Sequence, residues 1–231
     1  MTEGKKERKK ISPYPDKKDS LNENIDIIFD DDVVEPTNSP EQLKKQSVYL
    51  EIIIDGTYSM SKIYSFLYDR LIGEVNELKK INADIFIKTI VVYDKNNIRN
   101  MGNFGNVDKF KNDLLSMEFC GGSYDGFEPC LNDALVATAN ELENIENADL
   151  KGILLVTDSM PGTSQKPDYN ISNSMCDFAI LFVNEPDKDD QFIDLNGVSI
   201  RDIRNFLGRS KEKVLYTEID RKIKLMEKNI W

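Results

Sequence analysis

The sequence predicts an α/β protein with a doubly wound, mostly parallel central sheet and helices on both of its faces. From about residue 47 onward, apolar runs of strand length alternate with stretches whose apolar residues recur at helical spacing. Several of these runs are apolar at nearly every position, as expected for strands that are buried on both faces. Such alternation is typical of βαβ units, in which the crossover helices cover the sheet.

The predicted elements follow in order along this stretch. Strands are predicted at residues 49–54, 85–93, 153–157, 178–183 and 214–217. Helices are predicted at about residues 63–78, 107–117, 127–146, 199–207 and 219–230. Residues 96–106 contain two glycines and are predicted to form a loop or a hairpin.

The first 46 residues are predicted to be a charged, flexible tail, and residues 47–231 to be the α/β domain. A basic head is followed by an acidic block that contains no Lys or Arg between residues 19 and 41. Segregated charge of this kind usually remains unpacked. One apolar segment inside the tail, residues 25–29, is a candidate for docking on this domain or on a partner.

Composition excludes several classes of function. The chain has no histidine, so it cannot by itself supply a Ser-His-Asp or Cys-His nucleophile system or histidine-ligated zinc. Its formal net charge of -11 argues against nucleic-acid binding and suits a cation site and basic partners. The three cysteines are odd in number and form no Cys-x-x-Cys pair, which favours reduced, structural thiols.

The chain is expected to be cytoplasmic and not to associate with a membrane. It has no apolar run of the roughly 18 residues that a membrane span requires. Its first residues lack the hydrophobic region of a signal peptide.

Three oxygen-bearing side chains follow the first predicted strand, in the sequence Asp55-Gly-Thr57-Tyr-Ser59. They are therefore presented at the carboxyl end of a strand, where ligands bind in open α/β sheets. One carboxylate and two hydroxyls form a ligand set that suits a hard divalent cation such as Mg²⁺. The segment therefore predicts a cation site.

This segment resembles the first motif, Asp-x-Ser-x-Ser, of the metal-ion-dependent adhesion site in von Willebrand factor A (vWA) domains. Thr57 replaces the first Ser of that motif and keeps its hydroxyl. Residues 121–126, Gly-Gly-Ser-Tyr-Asp-Gly, are similar to the second motif, Gly-Gly-Thr-x-x-Gly ahead of a helix. Thr157, Asp158 and Ser159 are similar to the third, Thr-Asp-Gly after a strand. The resemblance covers residues 47–231.

The resemblance implies a site for Mg²⁺, or for Mn²⁺ or Ca²⁺ in its place. The implied site residues are Asp55, Thr57, Ser59, Ser123, Asp125 and Asp158. Asp158 is expected to hold a metal-bound water, and Ser123 and Asp125 are alternative ligands from one loop. In the family, an Asp or Glu of a partner completes the coordination sphere. The implied function is therefore protein binding rather than catalysis. Four neighbouring side chains are candidates for an apolar rim around the metal: Tyr58, Met60, Tyr124 and Phe127.

Two alternatives remain beside the metal-dependent module. The first is a degenerate vWA adaptor that binds its partner without a metal. The second is a phosphohydrolase similar to the haloacid dehalogenases, whose motif is Asp-x-Asp-Gly-Thr. In that motif Asp55 would match the second Asp, but Ile53 stands where the nucleophile belongs. A P-loop nucleotide hydrolase is excluded at the level of motifs, because no Gly-x-x-x-x-Gly-Lys-Ser/Thr occurs.

Overall fold

A computed structural model describes most of the chain that follows the predicted tail. The described residues are 45–94, 97–120, 127–158, 175–184, 198–208 and 212–228. Of the predicted tail, only Lys45 and Gln46 belong to these ranges, so the candidate docking segment at residues 25–29 lies outside them. Ser123 and Asp125 also lie outside the described residues.

Six strands and five α-helices make up the described part of the chain. The strands are β1 (Gln46–Asp55), β2 (Ala83–Asp94), β3 (Asn97–Asn100), β4 (Leu150–Val156), β5 (Phe178–Val183) and β6 (Val198–Asp202). The helices are α1 (Tyr64–Leu78), α2 (Val107–Leu115), α3 (Phe127–Glu143), α4 (Ile203–Leu207) and α5 (Val214–Lys228). A short 3-10 helix, Tyr58–Lys62, links β1 to α1. None of the helices within the described ranges is both long and apolar enough to cross a membrane.

The six strands form one mixed sheet in the order β3-β2-β1-β4-β5-β6. All neighbouring strands are parallel except β3, which forms an antiparallel hairpin with β2 at one edge. After β1 the chain moves outward through β2 to one edge, and from β4 it moves outward to the other. The two directions separate between β1 and β4, which is the topological switch point of the sheet. The predicted α/β class is confirmed, and within the loop or hairpin predicted at residues 96–106, residues 97–100 form β3, the second strand of a hairpin with β2.

Both faces of the sheet are covered, which explains why β1 is apolar at every position from Val48 to Ile54 except Glu51. Ile52 and Ile54 pack into a core with side chains from α1, α2 and α5. Ile53 points the other way and packs with side chains from α3. Because side chains alternate along a strand, an apolar run without alternation supplies both layers at once.

Two predictions in the last third of the chain are wrong. Residues 214–217 begin helix α5 instead of forming a strand, because Leu215 continues the buried helical face of Ile219 and Ile223 at four-residue spacing. The helix predicted at 199–207 is shorter and begins at Ile203. The preceding residues form β6, in which Val198 and Ile200 are buried at the two-residue spacing of a strand.

Candidate metal site

The site lies at the switch point, where β1 and β4 end side by side. Ile54 of β1 is paired with Val156 of β4, so the residues that follow each strand emerge together at the carboxyl edge of the sheet. Asp55 is the last residue of β1, and Asp158 comes two residues after the end of β4. Two parts of the chain about 100 residues apart thereby supply neighbouring carboxylates.

Gly56 allows the chain to turn tightly over β2 directly after Asp55. Its backbone N–H donates to the carbonyl of Val92 at 2.8 Å, which holds it against the neighbouring strand. A Cβ atom at this position would lie 2.5 Å from Cγ1 of Val91 and 2.6 Å from the ring of Tyr93. Only glycine fits this approach without displacing its neighbours. The 3-10 helix begins at Tyr58, so Thr57 and Ser59 are both presented beside Asp55.

Three hydrogen-bond donors fix the carboxylate of Asp55. Its Oδ1 accepts from the backbone N–H of Thr57 at 2.8 Å and from the Thr57 hydroxyl at 2.6 Å. Its Oδ2 accepts from the hydroxyl of Thr157 at 2.6 Å. Thr157 belongs to the third motif but was given no role by the sequence. A hydroxyl directly after a buried strand indicates that Thr157 belongs to the site only once β4 is known to lie beside β1.

The remaining described site residues extend this set into a continuous chain of oxygen atoms. Thr57 Oγ1 lies 3.0 Å from Ser59 Oγ, and Ser59 Oγ lies 2.9 Å from Asp158 Oδ1. The structure therefore brings together Asp55, Thr57, Ser59 and Asp158, which are four of the six residues predicted for the site.

While both carboxylates are ionised, this chain of oxygen atoms has one proton fewer than it has contacts. Three oxygen–oxygen contacts run from Asp55 through Thr57 and Ser59 to Asp158. The two hydroxyls supply one proton each. One of the three contacts therefore joins lone pairs, and a hard cation among these oxygens would remove the conflict. The donor set thus fits a divalent cation of the Mg²⁺ type.

The electrostatics of Asp55 also suit a cation. The pKa of this carboxyl is raised to about 6, chiefly by burial and to a lesser extent by the charge of Asp158. Hydrogen bonds from Thr157 and Thr57 act in the opposite direction and lower it. Within the described ranges, no Lys or Arg forms an ion pair with either carboxylate. Within the ranges that the structure describes, the buried carboxylate of Asp55 and the half-buried one of Asp158 therefore lie close together without an ion pair to a positive side chain.

The second motif borders the site through the last residue described ahead of it. The backbone N–H of Cys120 donates to the carbonyl of Gly56 at 3.0 Å. Residues 121–126, including both candidate ligands of that motif, are outside the described ranges. In the described part of the chain there is no cluster of three or more His, Cys, Asp or Glu side chains. Within the described residues, a metal at this site would therefore need the hydroxyls of Thr57 and Ser59 beside the two carboxylates.

The expected apolar rim is smaller than the sequence indicated. Tyr58 is 67% exposed and stands at the start of the 3-10 helix, beside the site. Met60 is fully buried in the core, so its assignment to the rim is wrong. Its position two residues after Tyr58 on a 3-10 turn directs it to the opposite side of that turn. The side chains of Tyr124 and Phe127 lie outside the described residues.

Comparison with known proteins identifies similar folds among solved structures. No protein-family model matches the chain, and no curated protein matches it. The VWA domain of SpRpn10 aligns with a TM-score of 0.50 at 13% identity, covering 72% of this chain and 91% of that one. A von Willebrand factor type A protein from Catenulispora acidiphila aligns at 0.47 and 14% identity, covering 78% and 42%. The pilus adhesin SpaC from Lactobacillus rhamnosus GG aligns at 0.42 and 15%, covering 52% and 16%.

The matches differ in how much of each protein they span. This chain spans 16% of the SpaC chain and 42% of the Catenulispora chain, but nearly all of the SpRpn10 domain. At 13% identity the likeness to SpRpn10 concerns the fold. Together with the strand order, it shows that this chain has the Rossmann-like α/β fold of vWA domains.

Proposed function

We propose that this chain is a vWA interaction module that binds a protein partner through a divalent cation. The cation is of the Mg²⁺ type, with Mn²⁺ or Ca²⁺ as substitutes, and the partner supplies an Asp or Glu carboxylate. The observation that carries the proposal is the chain of oxygen atoms from Asp55 to Asp158, which lacks one proton and forms no ion pair with a Lys or Arg of the described residues.

Four described residues would hold the cation. The hydroxyls of Thr57 and Ser59 are neutral oxygen ligands, and Asp55 and Asp158 supply negative charge on either side of them. Ser123 or Asp125 would complete the protein's share of the ligands, as the resemblance implies. When bound, the cation supplies an electrophilic position at which an incoming carboxylate can be held. Thr157 and the backbone of Thr57 keep the Asp55 carboxylate oriented towards the hydroxyls.

The surroundings of the site suit a protein ligand. The exposed ring of Tyr58 stands beside the hydroxyl ligands and offers an apolar contact next to the bound carboxylate. Aromatic side chains of this kind are enriched in protein interfaces. The formal net charge of -11 disfavours nucleic acid as the partner. We further propose that the module works in the cytoplasm and has no catalytic role, since the chain has no histidine and few thiols.

A pair of matched serines tests this proposal with little disturbance of the fold. Ser59 contributes its hydroxyl to the oxygen chain, whereas the hydroxyl of Ser61 only bonds the carbonyl of Tyr58 within the same turn. In thermal melts, millimolar Mg²⁺ or Mn²⁺ is expected to raise the melting temperature of the wild type relative to chelator. A ligand of the folded state at about 100 times its Kd stabilises by about 2.7 kcal/mol. Ser59→Ala should lose most of this rise, and Ser61→Ala should keep it.

A second candidate is the metal-independent vWA adaptor. It is favoured by the three donors that the chain itself provides to Asp55, because they stabilise this carboxylate without a cation. No cation-dependent rise in the wild type would support the adaptor and overturn the metal-dependent module. The phosphohydrolase is not proposed, because Ile53 is buried in the core and no carboxylate stands in its place as a nucleophile.

A further inference from the structure

A cavity of about 480 Å³ lies at the carboxyl ends of β5 and β6, apart from the proposed metal site. Its walls come from α1, β5, β6, α4 and the first turn of α5. Its volume is within the range of pockets that bind small molecules. The carboxyl ends of parallel strands are also the edge at which open α/β sheets bind ligands.

The floor of the cavity is apolar and well ordered by packing. The rings of Phe182 and Phe206 are stacked, with centroids 4.1 Å apart. Ile200 and Val214 extend this apolar lining. All four side chains are buried, with only 2–5% of their surface accessible. A ligand with an apolar body would gain modestly by covering the part of this floor that stays exposed.

Three guanidinium groups line the cavity, those of Arg70, Arg201 and Arg204, against the carboxylates of Asp202 and Glu212. Among the described residues, Glu74 pairs with Arg70 from outside the lining, so the positive and negative groups around the cavity balance. Guanidinium groups that are already paired with protein carboxylates can exchange such a partner for the phosphate or carboxylate of a ligand.

Arg70 belongs to the framework of the cavity. Its guanidinium lies over the ring of Phe206, 5.0 Å from the centroid, and pairs with Glu74 at 3.0 Å. Glu74 is fully buried and accepts from the backbone N–H of Leu215 at 3.0 Å, which ties α1 to the start of α5. The charge of Arg70 is thus compensated inside the fold, and recognition of an anion falls to the other two arginines.

Arg201 and Arg204 are more accessible, at 37% and 60% exposure of their side chains. Arg204 is held in place by Asp202, whose carboxylate accepts from its guanidinium and also from the backbone N–H of the same residue. Arg201 contacts the carboxylate of Glu212, which is 57% exposed, at 3.3 Å. An exposed ion pair contributes about 0–1 kcal/mol. A phosphate or carboxylate that makes two parallel bonds to a guanidinium is bound more strongly.

We propose that this cavity binds a small organic anion. Its phosphate or carboxylate group would replace Glu212 at Arg201 and contact Arg204, while its apolar body would lie on Phe206 and Ile200. The weak competing carboxylate, the two accessible guanidiniums and the apolar floor together favour a ligand that has both a charged head and an apolar body.

Phenyl phosphate and benzoate are suitable probes, since they share the apolar ring and differ in the charged group. The full chain is titrated with each probe by calorimetry, without divalent cations and at constant ionic strength. We expect at least one of them to bind, and to bind more tightly than inorganic phosphate because the ring covers the floor. The double variant Arg201→Gln, Arg204→Gln should weaken binding about tenfold or more. Glu212→Gln should strengthen it several-fold, because it removes the competing charge.

Control variants separate this proposal from misfolding and from the metal site. Arg221→Gln changes an exposed arginine on α5 outside the cavity and should leave binding unchanged. Asp55→Ala should also bind the probes normally, since the metal site is not involved. Melting of each variant without probe verifies that it is folded. The proposal is overturned if neither probe binds, if the double variant binds as the wild type does, or if Glu212→Gln weakens binding.

Discussion

Two carboxyl groups on the same strand, Glu51 and Asp55, are both fully buried but have opposite surroundings. They are four residues apart on β1, so the alternation of the strand places them on the same face of the sheet, the one that α3 covers. Asp55 accepts three hydrogen bonds. Neither carboxyl oxygen of Glu51 has a hydrogen-bond partner among the described residues.

The pKa values follow this difference. The pKa of Glu51 is raised to about 8, chiefly by burial and further by the charge of Glu141, while the charge of Lys88 and the hydroxyl of Thr138 oppose the rise. Lys88 is paired in register with Glu51, but its ammonium group binds the carboxylate of Glu141. Asp55 reaches only about 6, because its hydrogen bonds oppose the effect of burial. At pH 7 Glu51 is therefore mostly protonated and Asp55 mostly ionised.

The comparison shows that burial alone does not make a charged site. A carboxyl group without partners is accommodated by keeping its proton, as at Glu51. A carboxyl group that accepts several hydrogen bonds can stay ionised when buried, as at Asp55. Only the second arrangement offers a negative charge that a cation could use.

The largest expected effect is the pH dependence caused by Glu51. Its pKa is about 8 in the folded state, against an ordinary value of 4.5 for a glutamate side chain. The folded state therefore keeps a proton that the unfolded chain loses above about pH 4.5, so stability falls as the pH rises towards 8 and then levels off. The free energy of unfolding should fall by roughly 3–5 kcal/mol from this group. Glu51→Gln should remove this part of the decline in urea unfolding measured from pH 5 to pH 9. An unchanged pH profile in the variant would mean that Glu51 is not held in its neutral form.

A smaller effect is expected for Asp55→Ala. The variant leaves the two donors of Thr57 and the hydroxyl of Thr157 without their acceptor, and each unsatisfied buried donor is costly. Relief of a buried charge offsets part of this loss, so we expect a destabilisation of about 1–3 kcal/mol in chelator. The domain should remain folded, and the rise in melting temperature with Mg²⁺ or Mn²⁺ should vanish. Persistence of that rise would contradict the assignment of Asp55.

The smallest effect comes from the threonines beside the two carboxyl groups, which form a matched pair. Thr157 donates to Asp55 at 2.6 Å, whereas the buried hydroxyl of Thr138 on α3 lies near Glu51 without a hydrogen bond of normal geometry. Thr157→Val should cost about 1 kcal/mol in urea unfolding, because it leaves an oxygen of Asp55 without a donor. Thr138→Val should be neutral or slightly stabilising. Equal losses of unfolding free energy in the two variants would show that the two carboxyl groups do not differ in the hydrogen bonds that the protein gives them.

The sequence was sufficient for the class of fold and for the part of the site that is local. Buried apolar runs of strand length predicted the parallel sheet, and Asp55, Thr57 and Ser59 lie within five residues of one another. The errors fell where the signal was short. β6 has only five residues and is followed directly by α4, so the predicted helix included residues of both elements. Residues 214–217 are apolar enough for a strand and were assigned without the rest of their helical face.

Contacts between distant segments were beyond sequence reasoning. The hydrogen bond from Thr157 to Asp55 depends on the register of β1 with β4. The cavity joins Arg70 to arginines more than 130 positions away, and no local pattern links them. The carboxyl oxygens of Glu51 likewise make no hydrogen bond among the described residues, because Lys88 binds Glu141 of α3 instead. These features arise from topology and packing, which a single sequence does not reveal.

Direct titration with Mn²⁺, followed by electron paramagnetic resonance of the free ion, tests the metal site most directly. The wild type is expected to bind one ion that Mg²⁺ displaces, and Ser61→Ala should behave in the same way. Asp55→Ala should lose this ion, and Ser59→Ala should bind it about tenfold or more weakly. Absence of a bound ion in the wild type, or equal binding in Asp55→Ala, would contradict a cation site at the switch point.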